Sequence, residues 1–120
     1  MANEIQRAQA TIADVVGEAP RFFRAPAGLR NPFLDPILSR LGLRLASWTR
    51  RGFDTVTREP EVVMRRLRRN LNAGDIVLLH DGHAARTRSG TPVIHAVLPA
   101  LLAAVAAAKL IPCTLRASLT

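Results

Sequence analysis

Hydrophobic and polar positions along this chain switch repeatedly between a period near 3.6 and short continuous apolar runs. Over residues 3–16, Ile5, Ala8, Ile12, Val15 and Val16 fall on one helical face, with Asn3 placed to cap the start and Gly17 to stop it. Residues 21–24 read as a short strand ending before Pro26 and Gly28. Asn31–Pro32 opens a second helix through Leu34, Ile37, Leu38 and Leu41, closed by Gly42, and residues 43–48 form a second strand. A third helix spans 59–71, with Val63, Leu67 and Leu71 stacked four apart. Residues 75–80 form a third strand whose unbroken Ile-Val-Leu-Leu run predicts burial on both faces. Thr91–Pro92 opens a fourth helix that reaches Lys109, with a kink or restart expected at Pro99, and residues 111–116 complete the series as a fourth strand.

The predicted fold is therefore α/β: four parallel strands alternating with four helices, because consecutive strands joined by crossover helices run in the same direction. In such folds chemistry sits on the loops after the carboxyl ends of the strands. The unusual residues of this sequence occupy those loops: Arg24 through Gly28, Trp48 through Asp54, and His80-Asp81-Gly82-His83.

Composition narrows the picture. With 120 residues, 48% of them hydrophobic, the chain fits one small domain and has enough apolar side chains to build a core. The single cysteine, Cys113, excludes an internal disulfide framework and a cysteine-cluster zinc site. The opening residues carry Glu4, Arg7 and Asp14 among their apolar positions and do not read as a secretory signal, so the default expectation is a cytoplasmic protein. The longest apolar run, residues 93–108, contains His95 and Pro99 and falls short of the roughly 20 residues a membrane span needs.

The net charge of +8 first suggests a polyanion partner. Four Phe, one Trp and no Tyr offer few surfaces for stacking bases, however, and the arginines are dispersed apart from Arg65, Arg66, Arg68 and Arg69. The expectation is no nucleic-acid partner.

His80 ends the most hydrophobic strand. It reads either as a histidine satisfied at a sheet end or as a general acid/base tuned by a neighbouring carboxylate. His80 and His83 are a weak metal pair with no third ligand apparent, so no metal site is assigned. Arg24 is either solvated or buried beside an acid that it holds by paired hydrogen bonds, with Asp54 and Asp81 as acids in comparable loops. Trp48 is either core or the wall of a pocket.

Together these loops resemble the polysaccharide deacetylases, the NodB-homology group of carbohydrate esterases. The segment from Phe23 to Asn31 resembles their Arg-x-Pro-x-Gly-x-x-Asn motif, Leu78-Leu79-His80 resembles their terminal Leu-x-His motif, and Ser47-Trp48 through Asp54 falls where their Asp-x-x-Asp-Trp motif belongs. The resemblance implies the C-terminal half of a distorted (β/α) barrel and metal-dependent hydrolysis of an N-acyl amide on an amino sugar. By motif position it implies His80 as the acid, Asp54 as the residue that positions it, and Arg24 as the holder of a base carboxylate. It also implies Trp48 and Leu78 at the acyl pocket and the Ala27 backbone N–H as an oxyanion donor.

The departures define an expectation of their own. Arg51 and Thr55 stand where the family has Asp and Trp. The family's Thr-Phe-Asp-Asp and His-x-x-x-His motifs, which carry the base and the metal ligands, have no counterpart here. The whole chain, 1–120, is thus expected to be a partial deacetylase domain lacking the N-terminal metal-binding half. A divalent metal such as zinc belongs to the full-length family, and none is expected to bind this chain. A carbohydrate is the expected substrate, the isolated chain is expected to be inactive, and self-association or pairing through exposed strand edges is expected. Two alternatives are a non-catalytic split half that docks on another chain and an anion-binding module using Arg65–Arg69.

Overall fold

A computed structural model describes residues 1–28 and 31–118. Leu29 and Arg30, inside the first motif, lie outside the described residues. The elements run α1 (Ala2–Val16), β1 (Phe22–Phe23), a 3-10 turn (Pro26–Gly28), α2 (Leu34–Arg40), β2 (Arg44–Leu45), β3 (Arg50–Arg51), α3 (Pro60–Arg68), β4 (Val77–Leu78), α4 (Ile94–Ala107) and α5 (Leu115–Ser118). The four strands form two parallel pairs, β1 with β2 and β3 with β4, interleaved with helices. Parallel strands interleaved with helices are the α/β class the periodicity predicts, although the order of elements differs from strict alternation after β2.

The chain divides into two units, Met1–Ser47 and Trp48–Thr120. In the first, Ile5, Ala25, Leu34, Leu38 and Leu43 form a buried cluster on which Phe23, Ile37, Leu41 and Leu45 pack. Helix α1 ends at Gly17, whose φ of 90° is a left-handed conformation that costs glycine little, and whose N–H donates to Ala13 O. One expectation for α1 fails. Helix begins at Ala2, so Asn3 lies within it and is not its cap. Of its apolar face only Ile5 is buried, while Ile12, Val15 and Val16 are exposed. Helix α2 starts later than expected because the Asn31 side chain accepts the Phe33 N–H at 2.9 Å and holds a turn ahead of Leu34.

In the second unit, α3 packs on α4 through Val63, Met64, Leu67, Val93, Val97 and Leu101. Pro60 occupies the first turn of α3, where its missing N–H costs no hydrogen bond. Helix α4 runs on through Pro99 without restarting. Strand β4 is only half-buried at Val77 and Leu78, since the described residues pair it with β3 alone; the expected burial on both faces is not met.

The strand expected at 111–116 does not form. Residues 111–114 are irregular and exposed, Pro112 has no N–H to give a ladder, and the Thr114 hydroxyl accepts the Ala117 N–H to start α5. The fourth strand is instead β3, inside a stretch that reads as loop because it is Arg50-Arg51. Both arginines find partners that let a charged pair sit in a sheet. Arg50 Nε meets Asp75 Oδ2 at 3.2 Å and its Nη2 donates to Asn70 O at 2.8 Å, while the Arg51 guanidinium lies 4.1 Å from the Phe53 ring centroid.

Candidate active site

Strand β3 pairs with β4 in parallel, Arg50 opposite Val77 and Arg51 opposite Leu78, so the two carboxyl ends open on the same side. Asp54 follows β3 by three residues and His80 follows β4 by two. Between Arg51 and Asp54 the backbone makes a close approach and a reversal. A Cβ on Gly52 would stand 2.5 Å from Val63 Cγ1, so only glycine lets the chain lie this close to α3. Phe53 then adopts a left-handed φ of 56°. The carboxylate that follows is turned inward, and Asp54 is the buried charged residue of the described core.

That carboxylate is matched to His80 twice. Asp54 Oδ2 accepts the His80 backbone N–H at 2.7 Å, and Oδ1 lies 2.9 Å from His80 Nδ1. A carboxylate has no hydrogen to give, so the ring proton of this contact belongs on Nδ1. Nε2 makes no hydrogen bond among the described residues. The Asp54 side chain is 2% exposed and that of His80 38%, so the acid is sealed while the imidazole stays open to a reactant. Asp54 O also accepts the Ala85 N–H at 2.8 Å, which ties the loop after β3 to the loop after β4. The arrangement fixes one tautomer and one ring orientation, and it can move a proton at Nε2.

Other candidates from the sequence are distributed as follows. Leu78 sits half-buried in β4, opposite Arg51. Trp48 is half-buried, with the Arg51 guanidinium 5.5 Å from its ring centroid. Asp81 and His83 are exposed, and His83 has a φ of 60°. Arg24 and Ala27 belong to the first unit. Arg24 follows β1, and its guanidinium donates to the Ala46 and Ser47 carbonyls at 3.1 and 3.3 Å, at the carboxyl end of the paired strand β2. It is exposed, against the buried alternative. Ala27 lies in the 3-10 turn, which Gly28 closes by donating to Ala25 O at 2.9 Å.

Among the described residues, no three His, Cys, Asp or Glu side chains are grouped to hold a metal ion. His80 Nδ1 is engaged by Asp54, which leaves the ring one nitrogen. The residues described here do not fit a resident divalent metal. An open groove of about 720 Å³ lies between the amino-terminal ends of α3 and α4, lined by Arg58, Glu59, Thr87, Arg88 and His95 among others, and contains neither Asp54 nor His80. Its lining mixes both charge signs on exposed side chains, so the more specific chemistry remains with the buried acid and its imidazole.

Sequence reasoning assigns no role at this site to three residues that shape it: Gly52 and Phe53, inside the loop from Trp48 to Asp54, and Arg66, inside the basic run. Arg66 Nη1 donates to Gly52 O at 3.0 Å and to Thr57 Oγ1 at 2.8 Å. A Gly-Phe-Asp tripeptide after two arginines carries no pattern that announces this.

No family model matches the sequence, and no curated protein is significantly similar to it. Solved structures are similar in shape. A family 4 carbohydrate esterase from Streptomyces lividans, in complex with acetate, superposes with a TM-score of 0.78 over 94% of this chain at 24% identity. The chain shares the family 4 carbohydrate esterase fold. A family 4 pseudoenzyme from Bacillus anthracis matches as the wild type, with a TM-score of 0.75 at 21% identity over 88% of this chain. Its mutant with restored enzymatic activity matches with a TM-score of 0.77 at 21% identity over 91%. The chain spans 54% of the length of the Streptomyces esterase and 34% and 37% of the wild-type and mutant pseudoenzyme chains, so it corresponds to part of the esterase fold.

Proposed function

We propose that this chain carries the proton-donating side of a polysaccharide deacetylase site, one that hydrolyses an N-acyl amide on an amino sugar. The single observation that supports this most is the buried Asp54 carboxylate on His80 Nδ1, which leaves Nε2 as the nitrogen that exchanges a proton with a reactant. An amine is a poor leaving group until it is protonated, so a positioned imidazolium at Nε2 assists departure of the sugar nitrogen. Asp54 stabilises that imidazolium and keeps the ring turned toward the substrate. Leu78 and Trp48 border the acyl group, while Arg24 as holder of the base carboxylate and the Ala27 N–H as oxyanion donor are the roles that the motif resemblance implies. These four assignments rest on the motif resemblance and the shared fold.

By this reading the water-activating groups come from polypeptide that this chain does not supply, and the chain alone does not hydrolyse. A second reading, a non-catalytic member of the fold, is favoured by the lack of a metal-holding group among the described residues and by the likeness to a pseudoenzyme. The arginine-cluster alternative loses ground because Arg66 is engaged within the fold.

Acetate release from a chito-oligosaccharide with added zinc or cobalt tests the proposal. The purified chain is assayed alone and mixed with the part of the Streptomyces lividans esterase that it does not match. No release from the chain alone and release from the mixture that His80→Ala abolishes are expected. Release by the chain alone contradicts the incomplete site, and a mixture indifferent to His80→Ala contradicts the role of His80. A mixture that releases nothing favours the non-catalytic reading.

A further inference from the structure

Helix α3 carries a basic run, and one of its arginines is engaged within the fold. Val63 and Leu67 are fully buried, which fixes the helix against the segment after β3 and brings Gly52 onto Val63. From that helix Arg66 reaches back with a single nitrogen, Nη1, to Gly52 O at 3.0 Å and Thr57 Oγ1 at 2.8 Å. Those acceptors lie two residues before and three residues after Asp54. Its guanidinium also stands 5.4 Å from the Phe53 ring centroid, while Arg51 covers the same ring at 4.1 Å. Within the clamp, the Phe53 carbonyl accepts the Val56 and Thr57 N–H groups at 3.1 and 2.9 Å. A left-handed Phe53 persists only where its surroundings over-determine it, and here two guanidinium groups and a closed turn do so.

Asp54 has to satisfy two donors of His80 in different directions, at 2.7 and 2.9 Å, and a carboxylate does that only from a fixed backbone. We infer that Arg66 is a positioning residue for the Asp54–His80 pair: by clamping both ends of the 52–57 turn it sets the Asp54 carboxylate, and through it the imidazole tautomer and the direction of Nε2. Arg66 acts through Asp54 and touches no reactant. The inference rests on the proposed role of Asp54 as the partner that orients His80.

The test is the ring tautomer of His80, read from its imidazole nitrogen resonances in the full chain at a pH well above the histidine range. The unaltered chain is expected to show the Nδ1-protonated form as dominant, and Asp54→Ala to lose it. Arg66→Met is expected to lose that dominance too, whereas Arg65→Met, on the same helix with no such contacts, keeps it. If Arg66→Met does not fold, Thr57→Val, which removes one acceptor at nearly constant volume, is read the same way. Dominance retained in Arg66→Met or, failing that, in Thr57→Val overturns the inference, as does an equal loss in Arg65→Met. Dominance retained in Asp54→Ala defeats instead the reading of Asp54 on which the inference rests.

Discussion

The Asp54 carboxylate accepts both the backbone N–H and the ring of His80, 26 residues further along the chain. Parallel pairing of β3 with β4 creates this meeting, because it delivers the two loops to one side of the sheet. Burial of the acid then gives it value: a sealed carboxylate with two matched donors holds its partner in a way that a solvated one does not.

Asp54→Ala is expected to destabilise the second unit by about 1–3 kcal/mol, since it leaves the His80 N–H without its acceptor in a partly buried setting. Asp54→Asn should cost less, because the amide retains one acceptor oxygen. Urea unfolding midpoints give the order, and equal midpoints for Asp54→Ala and the parent chain would contradict the burial argument.

Gly52→Ala places a methyl group 2.5 Å from Val63 Cγ1 and 3.0 Å from Val63 O. The backbone must retreat from α3, at a cost of about 1–3 kcal/mol by the usual penalty for overpacking. The same substitution should cost less in a Val63→Ala background, where the nearest atom is gone. Thermal melts of the four-member cycle measure this, and strict additivity would show that Gly52 is not held by that contact.

Asp75 makes the fold sensitive to acid. Its carboxyl is held below the ordinary value of 3.8, foremost by the Asn72 N–H, then by the Thr49 hydroxyl and Arg50. A depressed carboxyl contributes stability that is complete above the ordinary value and is lost as pH falls through the depressed one. Asp75→Asn should therefore be less stable than the parent at neutral pH, with the gap closing below pH 3.8. A gap that widens on acidification would reverse the sign and contradict the assignment.

Association is expected from what the described residues leave open. Leu98 and Leu102, one turn apart on α4, are 44% and 48% exposed beside the buried Val97 and Leu101, and each of the four strands pairs along one edge among the described residues. Sedimentation should show mass rising with concentration, reduced in a Leu98→Lys, Leu102→Lys double variant. A parent chain that stays monomeric throughout would contradict this.

Much of this architecture is written in periodicity. The apolar stripe of Val63 and Leu67, the Pro60 start of α3 and the Gly17 stop of α1 are local signals, and each specifies its element. The misses share a non-local cause. Arg50 and Arg51 look like loop until Asp75, Asn70 and Phe53 supply partners from elsewhere in the fold. The 111–116 stretch has strand-forming side chains, yet without a neighbour to pair it yields to the Thr114 cap. Gly52 and Arg66 escape for the same reason, since their significance lies in what α3 brings near them. His80 and Asp54 stand out in sequence as a strand-end histidine and a loop acid, but their 2.9 Å contact is a product of strand register.

The role of His80 as proton donor is tested most directly by the leaving group. In the mixture of this chain with the unmatched part of the Streptomyces lividans esterase, acetate release is compared for an N-acetyl amino sugar and for an aryl acetate ester, whose phenolate departs without protonation. His80→Ala is expected to lower amide hydrolysis by about 10²–10⁴-fold while leaving ester hydrolysis largely intact. An equal loss on both substrates, or no loss on the amide, would contradict the account.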